Sequence, residues 1–278
     1  MRSLIISDIH GNLAALDAVL DHERERDEVI FLGDAICAGP QPREVVQALA
    51  RLRGVWIVGN HDLEPFERTF TDEESNPDRI YMRWTRDQIS DEDRSFLRAF
   101  ATTQVIERDG LVMRLHHGCF PKPLGQRPDD ERPSLARRAA GRLRRMLFGG
   151  TAWDSRIWPD TPERVFRSIA EAFPEPYVLL AHSHVQFRRQ VGGTAFINPG
   201  SVGQPRLGQP LASYALLRDG EIELKAVPYD VEATCRALDR VPLDKTYVEE
   251  WKSGYRAGRL PARYKMRDWE PLIRQGYR

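Results

Sequence analysis

An α/β fold built on a parallel sheet buried on both faces is predicted by three features of the sequence. Short apolar runs alternate with segments of helical periodicity through the first third. Strand, helix, strand, helix and strand fit within fewer than 60 residues, the pattern of right-handed crossovers. The apolar runs also end abruptly on polar, chemistry-bearing residues, as ligand-binding strand ends in such sheets do.

In order along the chain, "LIIS" (4–7) reads as the first strand, and Leu13, Leu16, Val19 and Leu20 then fall at helical spacing. "VIFL" (29–32) is the second strand, "PREVVQALARL" (42–52) a helix with Pro42 in its first turn, and "VWIV" (55–58) the third strand. The middle is mostly helical. Ser90 is placed to cap a helix running to about Ala101, with Asp91, Glu92 and Asp93 at its positive end. Strands at Gln104–Arg108 and Leu111–His116 flank Asp109-Gly110, a hairpin turn signal. No strand pattern lies between Pro121 and Pro159. Thr161 and Pro162 then open another helix as cap and first residue. Further strands follow at Tyr177–Ala181, Ala195–Asn198, Ala212–Leu217 and Glu221–Val227, and none is expected beyond Val241.

The chain has 278 residues, no formal net charge, 41% hydrophobic and 29% charged residues. That suffices for a sizeable core and gives no global field favouring nucleic acid or a membrane. The start "MRSLIISDIH" meets an Asp too early for a signal peptide, and no apolar run nears the ~20 residues of a membrane span. Three scattered cysteines, Cys37, Cys119 and Cys235, suit a reducing, cytoplasmic setting.

Six of the seven histidines sit at strand ends. "LIISDIH" closes on Asp8 and His10, "VIFLGD" on Asp34, and "VWIVGNHD" on Asn60, His61 and Asp62. "VMRLHHG" closes on His116 and His117, "VLLAHSH" on His182 and His184, and "AFINPGS" on Asn198. Residues two apart on an extended strand point the same way, so Asp8 pairs with His10 and His182 with His184. Carboxylates, imidazoles and an amide converging on one crevice make a site for borderline divalent ions. One catalytic ion needs about three protein ligands, and more than that are gathered here, which argues for two ions sharing a carboxylate. Asp8 and Asp34 cancel only half the charge of two divalent ions. Even with a bridging hydroxide the site stays positive, as a phosphate-ester site must. A lone Asp-x-His is commonplace; five such blocks in this order are not.

"DIH", "GDAICAG", "GNHD", "HHG" and "AHSH" together resemble the calcineurin-like metallophosphoesterase superfamily, and "NPGSVGQPR" (198–206) is similar to its small bacterial and archaeal phosphodiesterase-type members. The resemblance runs from Ser3 to about Asp230. It implies a four-layer α/β/β/α sandwich of two packed mixed β-sheets flanked by helices. It also implies two divalent ions (Mn²⁺, Fe²⁺/Fe³⁺, Ni²⁺ or Zn²⁺): one held by Asp8, His10 and His184, the other by Asn60, His117 and His182, with Asp34 bridging. His116 would support from behind. His61 would stabilise the transition state or protonate the leaving oxygen, with Asp62 orienting its ring. A metal-bridging hydroxide would attack phosphorus in line. Two departures stand out: Ala181 replaces the usual glycine before "HSH", and Ile36-Cys37 replace the usual aromatic after "GD".

Asn12 and Arg206 are the candidate substrate-binding residues, Arg206 through its planar fork. A basic insertion at about 121–160 carries six arginines and no acid between 132 and 153. The catalytic domain is expected at 1–240, and a basic, aromatic-rich extension at 241–278 is expected to pack on it or on a partner subunit. The implied function is a phosphoesterase, with diesters favoured and a phosphorylated small molecule or nucleotide as substrate; nucleic acid and a homo-oligomer are further possibilities, a membrane is not. Monoester or protein phosphatase, dinucleoside-polyphosphate hydrolase and a non-catalytic scaffold of the same fold are the alternatives.

Overall fold

The computed structural model describes residues 1–71, 73–118 and 156–264. Strands β1 (Ser3–Ile6), β2 (Glu28–Phe31) and β3 (Gly54–Trp56) run parallel, joined through helices α1 (Leu13–His22) and α2 (Pro42–Ala50). Ile5 lies opposite Ile30, and Ile30 opposite Val55. On the other side of β1 the sheet turns antiparallel, with β9 (Leu211–Arg218) and then β10 (Glu221–Pro228), giving the order β10-β9-β1-β2-β3. The sheet is therefore mixed and only its β1–β3 part is parallel. The hairpin of β9 and β10, turning through Asp219 and Gly220, adds the rest without a crossover.

A second mixed sheet has the order β4-β5-β6-β8-β7: β4 (Thr103–Arg108), β5 (Leu111–His116), β6 (Tyr177–Leu179), β8 (Thr194–Asn198) and β7 (Phe187–Val191). Alternation along each strand decides which layer a side chain enters. Ile5, Ile30 and Leu32 point between the sheets and meet Met113, Leu115, Leu179 and Ile197. Leu4, Ile6 and Phe31 point outward onto Leu16 and Val19 of α1 and Val45 and Leu49 of α2. Across the molecule, Val178, Phe187 and Phe196 face Phe166 and Ile169 of α6 (Glu163–Ala172). Two sheets packed face to face between helices are the four layers expected. Each fully buried Leu, Ile or Phe contributes ~1.5–3 kcal/mol relative to exposure.

Helices α3 (Asn60–Glu67), α4 (Pro77–Gln88) and α5 (Asp91–Arg98) fill the middle. Ser90 caps α5 by accepting the Asp93 N–H at 3.1 Å. The helix stops at Arg98, short of the expected Ala101, because the Ala101 backbone bonds to Trp56 and Val58 beside β3. The helix expected from Thr161 begins at Glu163, since Thr161 Oγ1 instead accepts the Trp158 N–H at 2.8 Å. Helices α7 (Val231–Leu238) and α8 (Lys245–Ala257) are capped by Asp230 and Asp244, and α8 ends on Gly258 in the left-handed region. Tyr247, Trp251 and Tyr255 of α8 pack with Tyr81 of α4 and Leu238 of α7. Among the described residues no helix is long and apolar enough to cross a membrane. The arginine-rich stretch at 132–153, Cys119 and the end of the chain from 265 lie outside the described residues.

Candidate metal centre

The strand ends of both sheets converge on one edge. Immediately beyond them the backbone enters the left-handed region at Asp8 (φ 51), His10 (φ 49), Asp34 (φ 64), His182 (φ 67) and His184 (φ 61). A non-glycine residue held there costs ~1–3 kcal/mol and persists only where its surroundings over-determine it. They do so here. Asp8 N–H donates to the Gly33 carbonyl at 2.8 Å and His10 N–H to that of Asp34 at 3.0 Å, while Val202 and Gly203 clamp the Ser7 and Asp8 carbonyls. Two glycines are required by close approach. A Cβ on Gly59 would lie 2.1 Å from Asp34 Oδ1, and one on Gly33 (φ 100) would lie 2.7 Å from His117 Nδ1.

The side chains meet in two groups that share Asp34: Asp8, His10, Asp34 and His184, and Asp34, His117 and His182. Within each, the donor atoms lie within 4.8 Å of one another and all these residues are buried. His184 Nε2 is 3.2 Å from Asp8 Oδ1, and His117 Nε2 is 3.3 Å from Asp34 Oδ2. Three imidazoles are oriented through Nδ1 against backbone carbonyls: His10 to Cys37 (3.1 Å), His117 to Leu32 (2.7 Å) and His184 to Gln204 (3.0 Å). Each Nδ1 thus carries a hydrogen, and each Nε2 turns to the centre. His10 and His184 bring these nitrogens to 3.2 Å from each other. Two lone pairs so close repel unless a cation or proton joins them.

Asp8 Oδ1, Asp34 Oδ2, Asn60 Oδ1 and His117 Nε2 are buried without a hydrogen-bond partner among the described residues. Buried acceptors are seldom left this way, and this mixed N/O set fits borderline divalent ions. Asp34 Oδ1 by contrast is fixed, accepting the His61 N–H at 2.9 Å.

Without metal the electrostatics divide this donor set into groups ready to ligate and groups that hold a proton. Burial pulls His10 down to about 3 and holds His182 and His184 well below the usual histidine range, so all three are neutral donors. Burial also pushes Asp8 up to about 7, against the pull of His117. Burial would lower His117 as well, but the Asp34 charge outweighs it and raises the ring to about 10. Asp34 itself, despite burial, is held well below the carboxylate range by His117 and His61.

The remaining candidates divide. His61 lies at the rim, its ring centroid 5.3 Å from that of His10, with its side chain 28% exposed. Its Nδ1 faces Glu64 Oε2 at 3.3 Å. Burial would lower the His61 pKa, but Asp34 and Glu64 raise it. Asp62 does not orient that ring: it is fully buried and accepts the backbone N–H groups of Asp34 (2.9 Å), Ala35 (2.7 Å) and Gly59 (2.7 Å). It braces the Asp34 turn. Glu64, three residues after His61 on α3, takes the place expected of Asp62, and reading "NHDLEPFE" as a helix would have put it there.

Asn12 is fully buried and engaged within the fold. Its Oδ1 caps α1 through the Ala15 N–H and accepts Thr234 Oγ1, while its Nδ2 donates to the Gly203 carbonyl. Arg206 does sit at the centre, Nη2 3.1 Å from His184 Nε2 and 2.9 Å from Gln204 Oε1. His116 stands behind His117, its Nδ1 accepting the Gly118 N–H at 2.8 Å. Ala181 is tolerated because the left-handed residues of its turn are His182 and His184, and Asn198 Nδ2 staples that turn to the Ala181 carbonyl at 2.9 Å.

Comparison with known proteins agrees with the geometry. A metallophosphoesterase from Sphaerobacter thermophilus of known structure is 28% identical, with a TM-score of 0.65 covering 93% of this chain and 99% of that one. Hypothetical protein PH1004 from Pyrococcus horikoshii OT3, 18% identical, shares the fold with a TM-score of 0.69 over 90% of this chain and 97% of that one. The uncharacterized protein MJ0912 of Methanocaldococcus jannaschii is 27% identical over 267 residues, 89% of this chain and 93% of that protein. The family description "Calcineurin-like phosphoesterase superfamily domain" matches residues 1–219, which takes in every strand-end residue above, and the chain belongs to that superfamily.

Proposed function

We propose that this protein is a phosphoesterase that uses two divalent ions and prefers phosphodiesters, with a phosphorylated small molecule or nucleotide as substrate. The observation that carries the reading is the pair of buried donor groups sharing Asp34, with unpartnered oxygens turned inward. Asp8, His10 and His184 would hold one ion, Asn60, His117 and His182 the other. Bound there, the ions supply Lewis-acid stabilisation of phosphoryl oxygens and a water acidified enough to attack at neutral pH.

This chain's own side chains do the rest. His61, its pKa raised by Asp34 and Glu64 against burial, is suited to give a proton to the leaving oxygen. Glu64 keeps that ring turned. The Arg206 fork binds a phosphoryl oxygen. A diester carries two substituents, and two cavities flank the centre. One of about 530 Å³ reaches His184 and Arg206, and one of about 260 Å³ reaches His61. A pure scaffold needs neither a rim histidine paired with a carboxylate nor buried ligands without partners.

The test strips the protein of metal, restores Mn²⁺, Ni²⁺, Zn²⁺ or Mg²⁺ singly, and compares bis(p-nitrophenyl) phosphate with p-nitrophenyl phosphate. Faster turnover of the diester is expected, and Asp34→Asn should lose bound metal and turnover together. A wild type inert with every ion and both esters would overturn the reading.

A further inference from the structure

The cavity beside His61 has walls that come from outside the family-matched residues 1–219. Tyr247, Trp251, Leu260 and Tyr264, from α8 and the segment after it, close it against Tyr81 of α4. These aromatics form one cluster. Tyr81 meets Tyr247 and Trp251 edge-on at 6.1 and 6.2 Å, and Trp251 lies 5.8 Å from Tyr264. Asp78 fixes two of them, accepting from the Tyr247 hydroxyl at 2.8 Å and from that of Tyr264. The Tyr255 hydroxyl ties α8 to the Asp34 loop by donating to the Ala38 carbonyl at 2.9 Å. Cys37, whose carbonyl orients His10, lines the same space. The aromatic wall is therefore registered to the metal centre and opens on the residue that would protonate the leaving oxygen.

At about 260 Å³ the cavity is smaller than the ~300–1,000 Å³ pockets that take whole drug-sized ligands, so it fits one part of a substrate. Its lining favours a flat ring, since aromatic faces and edges stack on π-systems. Polar side chains share the lining, Asp78, Gln204 and His61 standing beside the aromatics. A hydrocarbon buried against them would leave polar groups unpaired, so an occupant with a polar ring edge is preferred.

We infer that this cavity binds a heteroaromatic ring, of nucleobase type, on the leaving group of the phosphoester. The assignment rests on the phosphoesterase reading and deepens it: the C-terminal segment selects the substrate that the strand-end residues act on.

Calorimetry on the full-length, Mn²⁺-loaded protein tests this with phosphonates, which resist hydrolysis. Methylphosphonate, cyclohexylmethylphosphonate, benzylphosphonate and the phosphonate analogue of adenosine 5′-monophosphate share one head group. The adenosine compound should bind at least about tenfold tighter than methylphosphonate, the range of ring stacking, with benzyl between them and above cyclohexyl. Leu260→Trp, which fills the cavity from a half-buried position, should abolish the ring's contribution and leave methylphosphonate binding as it was. Equal binding of all four, benzyl tighter than adenosine, or a ring contribution that survives Leu260→Trp would each overturn the assignment while the metal-centre reading stands. Failure of methylphosphonate itself to bind would bring down both.

Discussion

His61 and Glu64 form the part of the site where a side chain's charge state should matter most. With Nδ1 3.3 Å from Glu64 Oε2, His61 gains a neighbouring negative charge that favours its protonated form. His61→Gln should keep bound metal, measured by elemental analysis, yet lose ~10²–10⁴-fold in turnover, the range for a general acid. Glu64→Gln removes a charge that raises the His61 pKa, so the alkaline limb of the pH–rate profile should move to lower pH. If Glu64 only pairs with Arg68, that limb will stay where it is. At this scale the converging residues were legible because each follows an apolar run that can only be a strand. The work of Asp62 and Asn12 was not. Both bond backbone groups far along the chain, Asp62 accepting the N–H groups of Asp34 and Ala35, Asn12 donating to the Gly203 carbonyl, and no local spacing reveals those partners.

Among the elements, those with a buried face announced themselves. β1 and β2 alternate between the inter-sheet core and the helical layer, and α1 and α2 carry the matching stripe. The β7 strand "FRRQV" hid because three consecutive polar residues separate Phe187 from Val191 at the sheet edge. Within the middle expected to be mostly helical, the bounds of α4 were not legible for a similar reason: it buries only Tyr81 and Thr85 fully, so charge outweighs its stripe. The turn from β3 into α3 shows why a glycine can be as necessary as a ligand. Gly59→Ala would drive a Cβ to 2.4 Å from the Asp34 backbone nitrogen, where no flexible side-chain end can yield. Overpacking of this kind costs ~1–3 kcal/mol. At ~2–4 °C per kcal/mol for a chain of this size, calorimetry should find Tm lowered by several degrees. Because the displaced atoms carry Asp34, metal content should fall as well. Full metal retention with an unchanged Tm would show that this turn is not rigid.

For the whole molecule, protons and metal ions compete for the same buried atoms, and this sets how stability depends on pH. In the metal-free chain Asp8 titrates at about 7, so between pH 4 and 7 the folded protein keeps a proton the unfolded chain has released. His117 titrates at about 10, so between pH 6.5 and 10 the fold again holds an extra proton. Each of these two groups by itself makes metal-free stability fall as pH rises. Below pH 6.5, however, the unfolded chain protonates His10, His182 and His184, which the fold keeps neutral, so there stability rises with pH. The fall is confined to the range above, where His117 holds the extra proton. Metal binding runs the other way. To ligate, His117 must release its proton, and below pH 7 Asp8 must release one too, so affinity should rise about tenfold per pH unit for each proton displaced. A bound ion adds stability as RT ln(1 + [L]/Kd), which therefore grows with pH. The Tm difference between Mn²⁺-loaded and chelator-treated protein should widen from pH 6 to pH 8, and Asp34→Asn should flatten it. A gap independent of pH would mean that the ion does not displace these protons, and that the unpartnered oxygens of Asp8 and Asp34 serve something other than a cation.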